Sequence, residues 1–303
     1  MKKLIYILCF LGFNAHGQLT PIISQYMFND VALNPANTGN QESLSLFADF
    51  RAQWVGINGA PMTQSFTAHS PLRNTNSAVG IQFFADQIGV DRNTGIYGSY
   101  AYRIPMAKMK LSFGITGGVS LVKSNYSNLA VNDNSDNLLV DTPLGILPDC
   151  SFGVSLTGKK YFASLSIPFF LSHRFDGNKI IVDHDFNNYN VMLGGGYEFE
   201  FGRKKYKLRP SLLLKYNIGN RPQVDINLMA QLHDLFEFGV SFRTEDSVIG
   251  LFKFNATKQF AIMYSFGMPI TKIGSNQFGS HEIGLRYNFK YQTKIANPRY
   301  LGW

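Results

Sequence analysis

The feature that most constrains the fold of this chain is an alternation of apolar and polar side chains, which recurs between residues 43 and 289. In the segment 223–232, Val, Ile and Leu alternate with Asp, Asn, Met and Gln, and the segments 109–120, 236–243 and 279–289 repeat the pattern. Successive side chains of a β-strand point to opposite faces, so a period of two residues predicts strands. The chain is therefore predicted to be all-β, with one strongly apolar face on each strand.

Two architectures fit such strands: a soluble β-sandwich with the apolar face inward, and a transmembrane barrel with the apolar face toward lipid. Sandwich strands average about 5 or 6 residues, whereas a tilted strand that crosses a bilayer needs about 9 to 11. The alternating segments are mostly of the longer kind. We therefore predict a transmembrane antiparallel β-barrel of about 14 strands, an even number as in bacterial single-chain barrels. The predicted strands lie near residues 43–51, 62–69, 77–85, 94–102, 109–120, 148–156, 161–167, 189–199, 206–216, 223–232, 236–243, 247–254, 260–269 and 279–289.

The lengths of the connections support the barrel independently. Outer-membrane barrels have short turns on the periplasmic side and longer loops outside, so long and short connections should alternate. By these boundaries the odd-numbered connections average about 12 residues and the even-numbered ones about 5. The contrast depends mainly on the two longest connections, 121–147 and 168–188.

The two faces of the predicted strands carry different chemistry. Aromatic side chains near strand ends are expected to form girdles at the membrane interfaces, although β-propensity alone also favours aromatic residues in strands. Charges of both signs on the polar face favour cross-strand ion pairs in the lumen over a selectivity filter of one sign. The expected girdle residues are Tyr100, Tyr102, Tyr197, Phe199, Tyr216, Phe254, Tyr287 and Phe289. The expected lumen charges are Asp49, Arg51, Arg103, Glu198, Lys215, Asp225, Glu237, Arg243, Glu282 and Arg286.

The ends of the chain complete the predicted organisation. Residues 1–17 combine two lysines, a short apolar core and a small-residue exit, which predicts a signal peptide cleaved near Gly17 and Gln18 and hence an exported protein. Residues 18–40 contain several apolar side chains, so we expect this segment to be ordered inside the barrel or at its periplasmic mouth. The barrel itself is assigned to residues 41–289, and residues 290–303 are expected to form a periplasmic tail.

Composition excludes other classes of protein. Of the 303 residues, 45% are hydrophobic and 14% aromatic, which is too apolar for a disordered chain. No stretch after the predicted signal has 18 consecutive apolar residues, which excludes a helical membrane bundle. The net charge is +8, but the basic residues are dispersed, so no nucleic-acid partner is expected. Cys150 is the single cysteine outside the predicted signal, so no internal disulfide or cysteine zinc site can form.

Candidate catalytic or metal-binding groups are sparse. Asp183, His184 and Asp185 are the best metal candidates, but they lie in a long loop without a third ligand at a predictable spacing. His69 and Ser70 could suggest a hydrolase, but neighbours on a strand point to opposite faces and cannot hydrogen-bond directly. We therefore expect no enzyme activity, no cofactor and no metal.

Several sequence blocks carry a family resemblance. Residues 25–29 are QYMFN, residues 33–36 are LNPA followed by Gly39, and residues 53–61 are QWVGINGAP. Further blocks are HSPL at 69–72, DQIG at 86–89 and PRY at 298–300. With these blocks the chain resembles the PorP/SprF family of outer-membrane proteins associated with type IX secretion and gliding motility. The one mild departure is Ile57, where the family often has Phe.

The resemblance implies a non-enzymatic barrel in the cell outer membrane, surrounded by its lipid, that helps export or anchor a large secreted surface protein such as an adhesin. The implied partners are the C-terminal domain of that adhesin and other type IX secretion or gliding components. A partner-contact role is carried over to the family motifs, although the same residues also fit turn and packing roles. An alternative is a passive outer-membrane channel or small-molecule transporter. The candidate partner-binding residues are Asn34, Pro35, Gln53, Trp54, Gly56, Gly59, Pro61 and His69.

Overall fold

A computed structural model shows the chain as one closed antiparallel β-barrel. The structure describes residues 23–41, 43–73, 75–128, 141–176, 179–183, 189–202, 205–217, 221–271, 274 and 277–290. The predicted signal peptide lies outside these residues, as do residues 291–303 of the predicted tail.

Fourteen strands in the described part of the chain form the wall, and each pairs with its neighbour along the sequence. The ring of strands is continuous, because β1 pairs with β17 and β10 pairs with both β7 and β12. β11 continues β10 after a one-residue break, so the two count as one wall strand. The strands are β1 Ser45–Ala52, β2 Met62–Pro71, β3 Ser77–Ile88, β4 Asp91–Pro105, β5 Met109–Ser124, β6 Gly145–Gly158, β7 Tyr161–Ile167, β8 Ser172–Asp176, β9 Lys179–Asp183, β10 Asn190–Tyr197, β11 Phe199–Phe201, β12 Tyr206–Asn217, β13 Gln223–Leu232, β14 Phe236–Arg243, β15 Ser247–Phe254, β16 Phe260–Pro269 and β17 Ser280–Asn288.

The burial of the strands is the reverse of that in a soluble protein. On β13, Ile226 and Leu228 are exposed on the outer face, whereas Asp225 and Asn227 are buried toward the lumen. Such an apolar exterior is stable only against lipid, and within the described chain every wall strand pairs with a neighbour on each side. The predicted transmembrane barrel of 14 strands is therefore confirmed. Among the described residues, no helix has the length and apolar character needed to cross a bilayer.

The alternation of connection lengths defines two ends of the barrel. The short-turn end contains the connections 72–76, 106–108, 159–160, 202–205, 233–235 and 255–259. The long-loop end contains the longer ones, 53–61, 125–144, 168–189 and 270–279, together with three short connections, 89–90, 218–222 and 244–246. By the general rule for these barrels, the short-turn end faces the periplasm.

Three details of the strand prediction are wrong. The third connection was expected to span about 8 residues but is the two-residue turn Gly89–Val90, because β3 and β4 pair as far as Ile88 and Asp91. The strand expected at 189–199 is interrupted at Glu198, whose side chain points into the lumen. The loop expected at 168–188 contains a separate two-stranded sheet, formed by β8 and β9.

The expected aromatic residues are concentrated at one end. Seven of the eight lie near the short-turn end, and Tyr216 alone lies near the long-loop end. Six of those seven are exposed on the outer face, namely Tyr100, Tyr102, Tyr197, Phe199, Tyr287 and Phe289. Phe254 is half-buried and stacks on Phe236 with 5.3 Å between ring centroids. A girdle at the short-turn interface is consistent with these positions.

Candidate functional site

The lumen is occupied by residues 23–41, which we call the plug. The plug consists of three short 3-10 turns, at Gln25–Met27, Asp30–Ala32 and Pro35–Asn37. Its apolar side chains Tyr26, Met27 and Phe28 are buried and pack against Phe47, Leu213 and other lumen-facing residues. Burying these side chains removes apolar surface from the water that would otherwise fill the lumen.

The plug begins at a carboxylate near the long-loop end. Glu282 on β17 accepts hydrogen bonds from the backbone N–H groups of Ser24 and Gln25, both at 3.0 Å. Arg51 on β1 forms an ion pair with the same carboxylate at 2.9 Å and also donates to the Ser24 hydroxyl. The Gln25 side chain donates to the backbone carbonyl of Glu282 at 2.9 Å. We call these contacts of Arg51, Ser24 and Gln25 the Glu282 clasp.

A second contact joins the first turn of the plug to another part of the wall, four strands away from β17. The hydroxyl of Tyr26 lies 2.9 Å from the side-chain nitrogen of Asn227 on β13, which donates to it. The neighbouring wall residues Asp225 and Arg243 are fully buried and form a double hydrogen bond with both distances at 3.0 Å. Lys215 completes the group with an ion pair to Asp225 at 3.2 Å. Tyr26 therefore anchors the plug beside a buried, hydrogen-bonded cluster of charged side chains in the lumen.

Replacing Tyr26 by Phe is expected to loosen the first turn of the plug modestly. The variant loses the hydrogen bonds of the Tyr26 hydroxyl to Asn227 and to the Asp225 carboxylate, worth about 1 kcal/mol or more together, while Asn227 keeps its bond to Ser211. Backbone amides of residues 24–28 should then exchange with deuterium about fivefold faster in the full chain. The matched control is Tyr97→Phe, since the Tyr97 hydroxyl bonds Ser120 of the wall. Equal exchange in the two variants would contradict the anchoring role.

The middle of the plug is anchored by Asn34. Its side-chain oxygen accepts from the backbone N–H of Ala36 at 2.9 Å and so caps the turn that starts at Pro35. Its side-chain nitrogen donates to the hydroxyl of Ser164 at 2.8 Å and to the backbone carbonyl of Val154 at 3.0 Å. One side chain therefore both folds the turn and fastens it to β6 and β7.

Glycines in the wall make room for this turn. A Cβ atom on Gly114 of β5 would overlap the backbone of Pro35 and Ala36, and a Cβ on Gly153 of β6 would overlap Asn34. The plug therefore lies directly against the wall at these two positions, with its backbone at Gly114 and with side-chain atoms of Asn34 and Pro35 at Gly153. This is the type of close backbone approach that glycine permits.

The plug leaves the lumen near the short-turn end. His69 on β2 accepts the backbone N–H of Gly39 at its Nδ1 atom, at 2.9 Å, and Arg103 on β4 donates to the backbone carbonyl of Thr38. Asn40 donates to the buried carboxylate of Asp30, which links the end of the plug to its second turn. The plug is thus held by side chains of the wall along its whole described length.

The expected cross-strand ion pairs are confirmed for seven of the ten lumen charges. Arg51, Glu198, Lys215, Asp225, Glu237, Arg243 and Glu282 all form them, whereas Arg103 contacts the plug instead. Further pairs join Lys207 to Glu198 at 3.3 Å and Lys253 to Glu237 at 2.7 Å. These pairs line a cavity of about 540 Å³ at the short-turn mouth, bounded on its inner side by Met27, Phe28 and Asp30 of the plug.

The structure divides the candidate partner-binding residues between two places. Asn34, Pro35 and His69 are buried in the lumen. Asn34 contacts Ser164 of the wall, and His69 of the wall contacts the plug. The other five, Gln53, Trp54, Gly56, Gly59 and Pro61, lie in the loop between β1 and β2 at the long-loop end. These two groups do not form a single surface. The metal candidates His184 and Asp185 lie outside the described residues.

The loop between β1 and β2 is fastened to two neighbouring connections. Val55 exchanges backbone hydrogen bonds with the connection before β17: its N–H donates to the carbonyl of Gly279 at 2.9 Å, and its carbonyl accepts from Phe278 at 2.7 Å. Gly59 accepts from the N–H of Gly89 at 2.9 Å. Gly56 and Gly59 have φ angles of 101° and 73°, a conformation that favours glycine. The family motif in this loop therefore includes turn residues of a fixed external rim.

Sequence reasoning identified Glu282 only as a lumen charge and missed the roles of Gly114 and Gly153. The alternation within 109–120 and 279–289 placed Gly114 and Glu282 on the polar face, which was the available signal. Their contacts with the plug join residues far apart in the chain, such as Ser24 and Glu282.

A closed barrel with its apolar face outermost and its own N-terminal segment in the lumen is an outer-membrane β-barrel with an internal plug. The chain belongs to the family described as type IX secretion system membrane protein PorP/SprF, whose model matches residues 15–287. The predicted family membership is therefore confirmed, and with it the outer-membrane location.

Two solved structures match the chain at low sequence identity, and the first of them shows the same general fold. The CymD monoaromatic hydrocarbon channel matches with a TM-score of 0.55 and 14% identity over 91% of this chain and 95% of that chain. The outer membrane protein Omp33 of Acinetobacter baumannii matches with a TM-score of 0.48 and 8% identity over 82% of this chain and 99% of that chain. A comparison with curated proteins gave no match.

Proposed function

We propose that this barrel is a non-enzymatic accessory of type IX secretion that binds a large secreted surface protein, such as an adhesin, and helps to export or anchor it. The observation that carries the proposal is the plug, which fills the lumen and is bonded to the wall near both ends of the barrel. A lumen occupied in this way favours binding at an outer surface over passive diffusion through the middle. The alternative function, a passive channel, requires the plug to move.

The external rim supplies a surface of the right kind. We define the rim patch as Val55, Gly56 and Phe278, which contact one another at the long-loop end. The Phe278 side chain is 77% exposed, the largest exposure among the exposed large hydrophobic side chains of the described chain. Aromatic side chains that project from a fixed backbone lose little conformational entropy on binding and are enriched among the residues that dominate interface energies.

A gene-deletion experiment tests the proposed function. Cells without the gene should lose one or more surface proteins that carry a type IX C-terminal domain, and gliding should fail where such a protein is the adhesin. Surface labelling followed by mass spectrometry measures the loss, and re-expression of the wild-type chain should restore display. Normal surface display and normal gliding in the deletion strain would refute the proposal.

Replacing Phe278 by Ser should weaken the secreted partner's binding without affecting barrel assembly. Removing one buried aromatic anchor from an interface costs about 2 kcal/mol, or about 30-fold in Kd. The measurement is the affinity of the purified partner, identified in the deletion experiment, for the full barrel in phospholipid nanodiscs. Phe201→Ser is the control, because Phe201 is also exposed but lies at the short-turn end. Unchanged affinity for the Phe278 variant would exclude the rim patch as the contact surface.

A further inference from the structure

The short-turn end of the barrel is strongly basic. By the sequence, its six connections contain eight lysine or arginine residues and one acidic residue, Asp234. The seven connections of the long-loop end have the reverse balance, with eight acidic residues and four basic ones. A surface with an excess of one sign of charge attracts molecules of the opposite sign. The periplasmic end is therefore suited to an acidic partner.

The cavity of about 540 Å³ at the short-turn mouth, which we call the mouth cavity, lies within this basic end. Seven cationic side chains and five acidic ones line it. Four of the cations are paired with the three glutamates of the lining, and the two aspartates accept hydrogen bonds from amide side chains. Within the described chain, the other three cations form no ion pair. These three are Lys159, Lys258 and Arg286.

Arg286 on β17 is the cation that most needs a partner. Its guanidinium carbon lies 5.6 Å from the centre of the Phe47 ring, and its Nε atom is buried without a hydrogen-bond partner in the described chain. Asp30 and Glu237 are close enough to attract Arg286, but both carboxylates accept hydrogen bonds from other side chains. A charge shielded from water is costly when it has no partner, and the planar guanidinium group matches the geometry of a carboxylate. The mouth cavity therefore presents a cation that a ligand carboxylate can pair.

The rest of the lining fits a peptide better than a single small anion. The volume of the mouth cavity lies within the range of about 300–1,000 Å³ that is usual for ligand sites, and it exceeds what one carboxylate or phosphate group would fill. Amide side chains, which can both donate to and accept from a peptide backbone, also line the cavity. They are Asn40, Gln41, Gln231, Asn255, Gln259 and Asn288. The cavity lies inside the ring of strands, which separates it from the surrounding lipid.

We propose that the mouth cavity is a docking site for an acidic peptide segment of a periplasmic partner protein, with Arg286 binding one of its carboxylates. The basic turns around the mouth attract the segment, and Lys159 and Lys258 add ion pairs at the entrance. Met27, Phe28 and Asp30 of the plug bound the cavity on its inner side, so the docked segment contacts the plug from the periplasm. The proposal does not depend on the surface protein bound at the rim patch and would stand if the barrel had another role.

Binding of fluorescein-labelled tetraglutamate to the full chain tests the site. The chain is held in phosphatidylcholine nanodiscs, whose lipid has no net charge, and fluorescence anisotropy measures the Kd. We expect saturable binding of tetraglutamate. Tetraglutamine with the same label should bind at least about tenfold more weakly, because it lacks the carboxylates. Equal affinity for the two peptides, or no saturable binding of tetraglutamate, would overturn the proposal.

Two matched arginine variants locate the binding. Arg286→Gln should raise the Kd for tetraglutamate about tenfold or more, the loss expected for one hydrogen bond between charged groups. Arg92→Gln removes the same charge from an exposed side chain of β4 at the long-loop end, and it should leave the Kd unchanged. Equal effects of the two substitutions would show attraction to the net charge alone and would refute a site at the mouth cavity.

A second variant gives an answer even if the Arg286 variant does not assemble. The double substitution Lys159→Gln and Lys258→Gln changes two exposed side chains of short turns, so the barrel should fold normally. The Kd for tetraglutamate should rise about threefold or more, as expected for the loss of two exposed ion pairs. The matched control is Arg92→Gln with Lys123→Gln, two exposed cations at the long-loop end. An unchanged Kd in the Lys159 and Lys258 variant would contradict the proposal.

Discussion

Replacing Glu282 by Ala is expected to turn a silent barrel into one that conducts ions. The substitution removes the acceptor for two plug N–H groups and the ion-pair partner of the buried Arg51. Removing one member of a buried ion pair typically costs about 3–5 kcal/mol, because the other charge is left uncompensated. At about 1.4 kcal/mol per factor of ten, release of the plug's first turn becomes about 100- to 4,000-fold more frequent. Planar-bilayer recordings should show almost no current for the wild type and frequent openings for the variant.

The control for this prediction is Glu198→Ala. Glu198 is also buried in the lumen and paired with Lys207 and Arg209, but its ion pairs join wall residues at the short-turn end. Loss of Glu198 should therefore lower the stability of the barrel without releasing the first turn of the plug. Protection of amides 24–28 from deuterium exchange should fall in the Glu282 variant and persist in the Glu198 variant. If both variants stay silent and keep that protection, the Glu282 clasp does not hold the plug.

The fold could be predicted from the sequence because the alternation is a local signal. Each lipid-facing position must be apolar and each neighbouring position faces the lumen, so ten or so residues define a strand. The same reasoning overestimated the length of the connection between β3 and β4. The facing ends of these strands carry polar residues such as Asp86 and Asp91, which are also typical of loops. It also missed the sheet formed by β8 and β9, which is separate from the wall.

The site was less predictable because its contacts are not local. The motif at Asn34 and Pro35 was identified, and its turn chemistry is present, since Asn34 caps the turn that Pro35 begins. The sequence could not show that the same Asn34 side chain bonds Ser164, 130 positions further along the chain. Nor could the sequence show whether residues 18–40 lie inside the lumen or at its periplasmic mouth. That choice depends on the fit of the plug against Gly114 and Gly153, which requires the three-dimensional structure.

Replacing Gly114 by Ala is expected to force the middle of the plug out of its position with a single methyl group. The added Cβ would overlap the backbone of Pro35 and Ala36, which cannot move aside as a flexible side chain could. Either the plug turn or β5 must shift, and overpacking of this kind costs about 1–3 kcal/mol or more. Because β5 is paired on both sides with β4 and β6, the plug is the part that yields. Protease cleavage between residues 30 and 40 should rise about tenfold or more in the variant.

The matched control lies on the same strand, three residues away. A Cβ on Gly117 has no atom within 4 Å, so Gly117→Ala should leave both the plug and the protease pattern unchanged. The pair of variants therefore separates a steric effect on the plug from any general effect of alanine in β5.

The same two variants also test whether the plug is needed for function. If the plugged state is the one that binds the secreted partner, the Gly114 variant should lose surface display and the Gly117 variant should keep it. Normal display with a cleaved plug would show that partner binding does not depend on the plug.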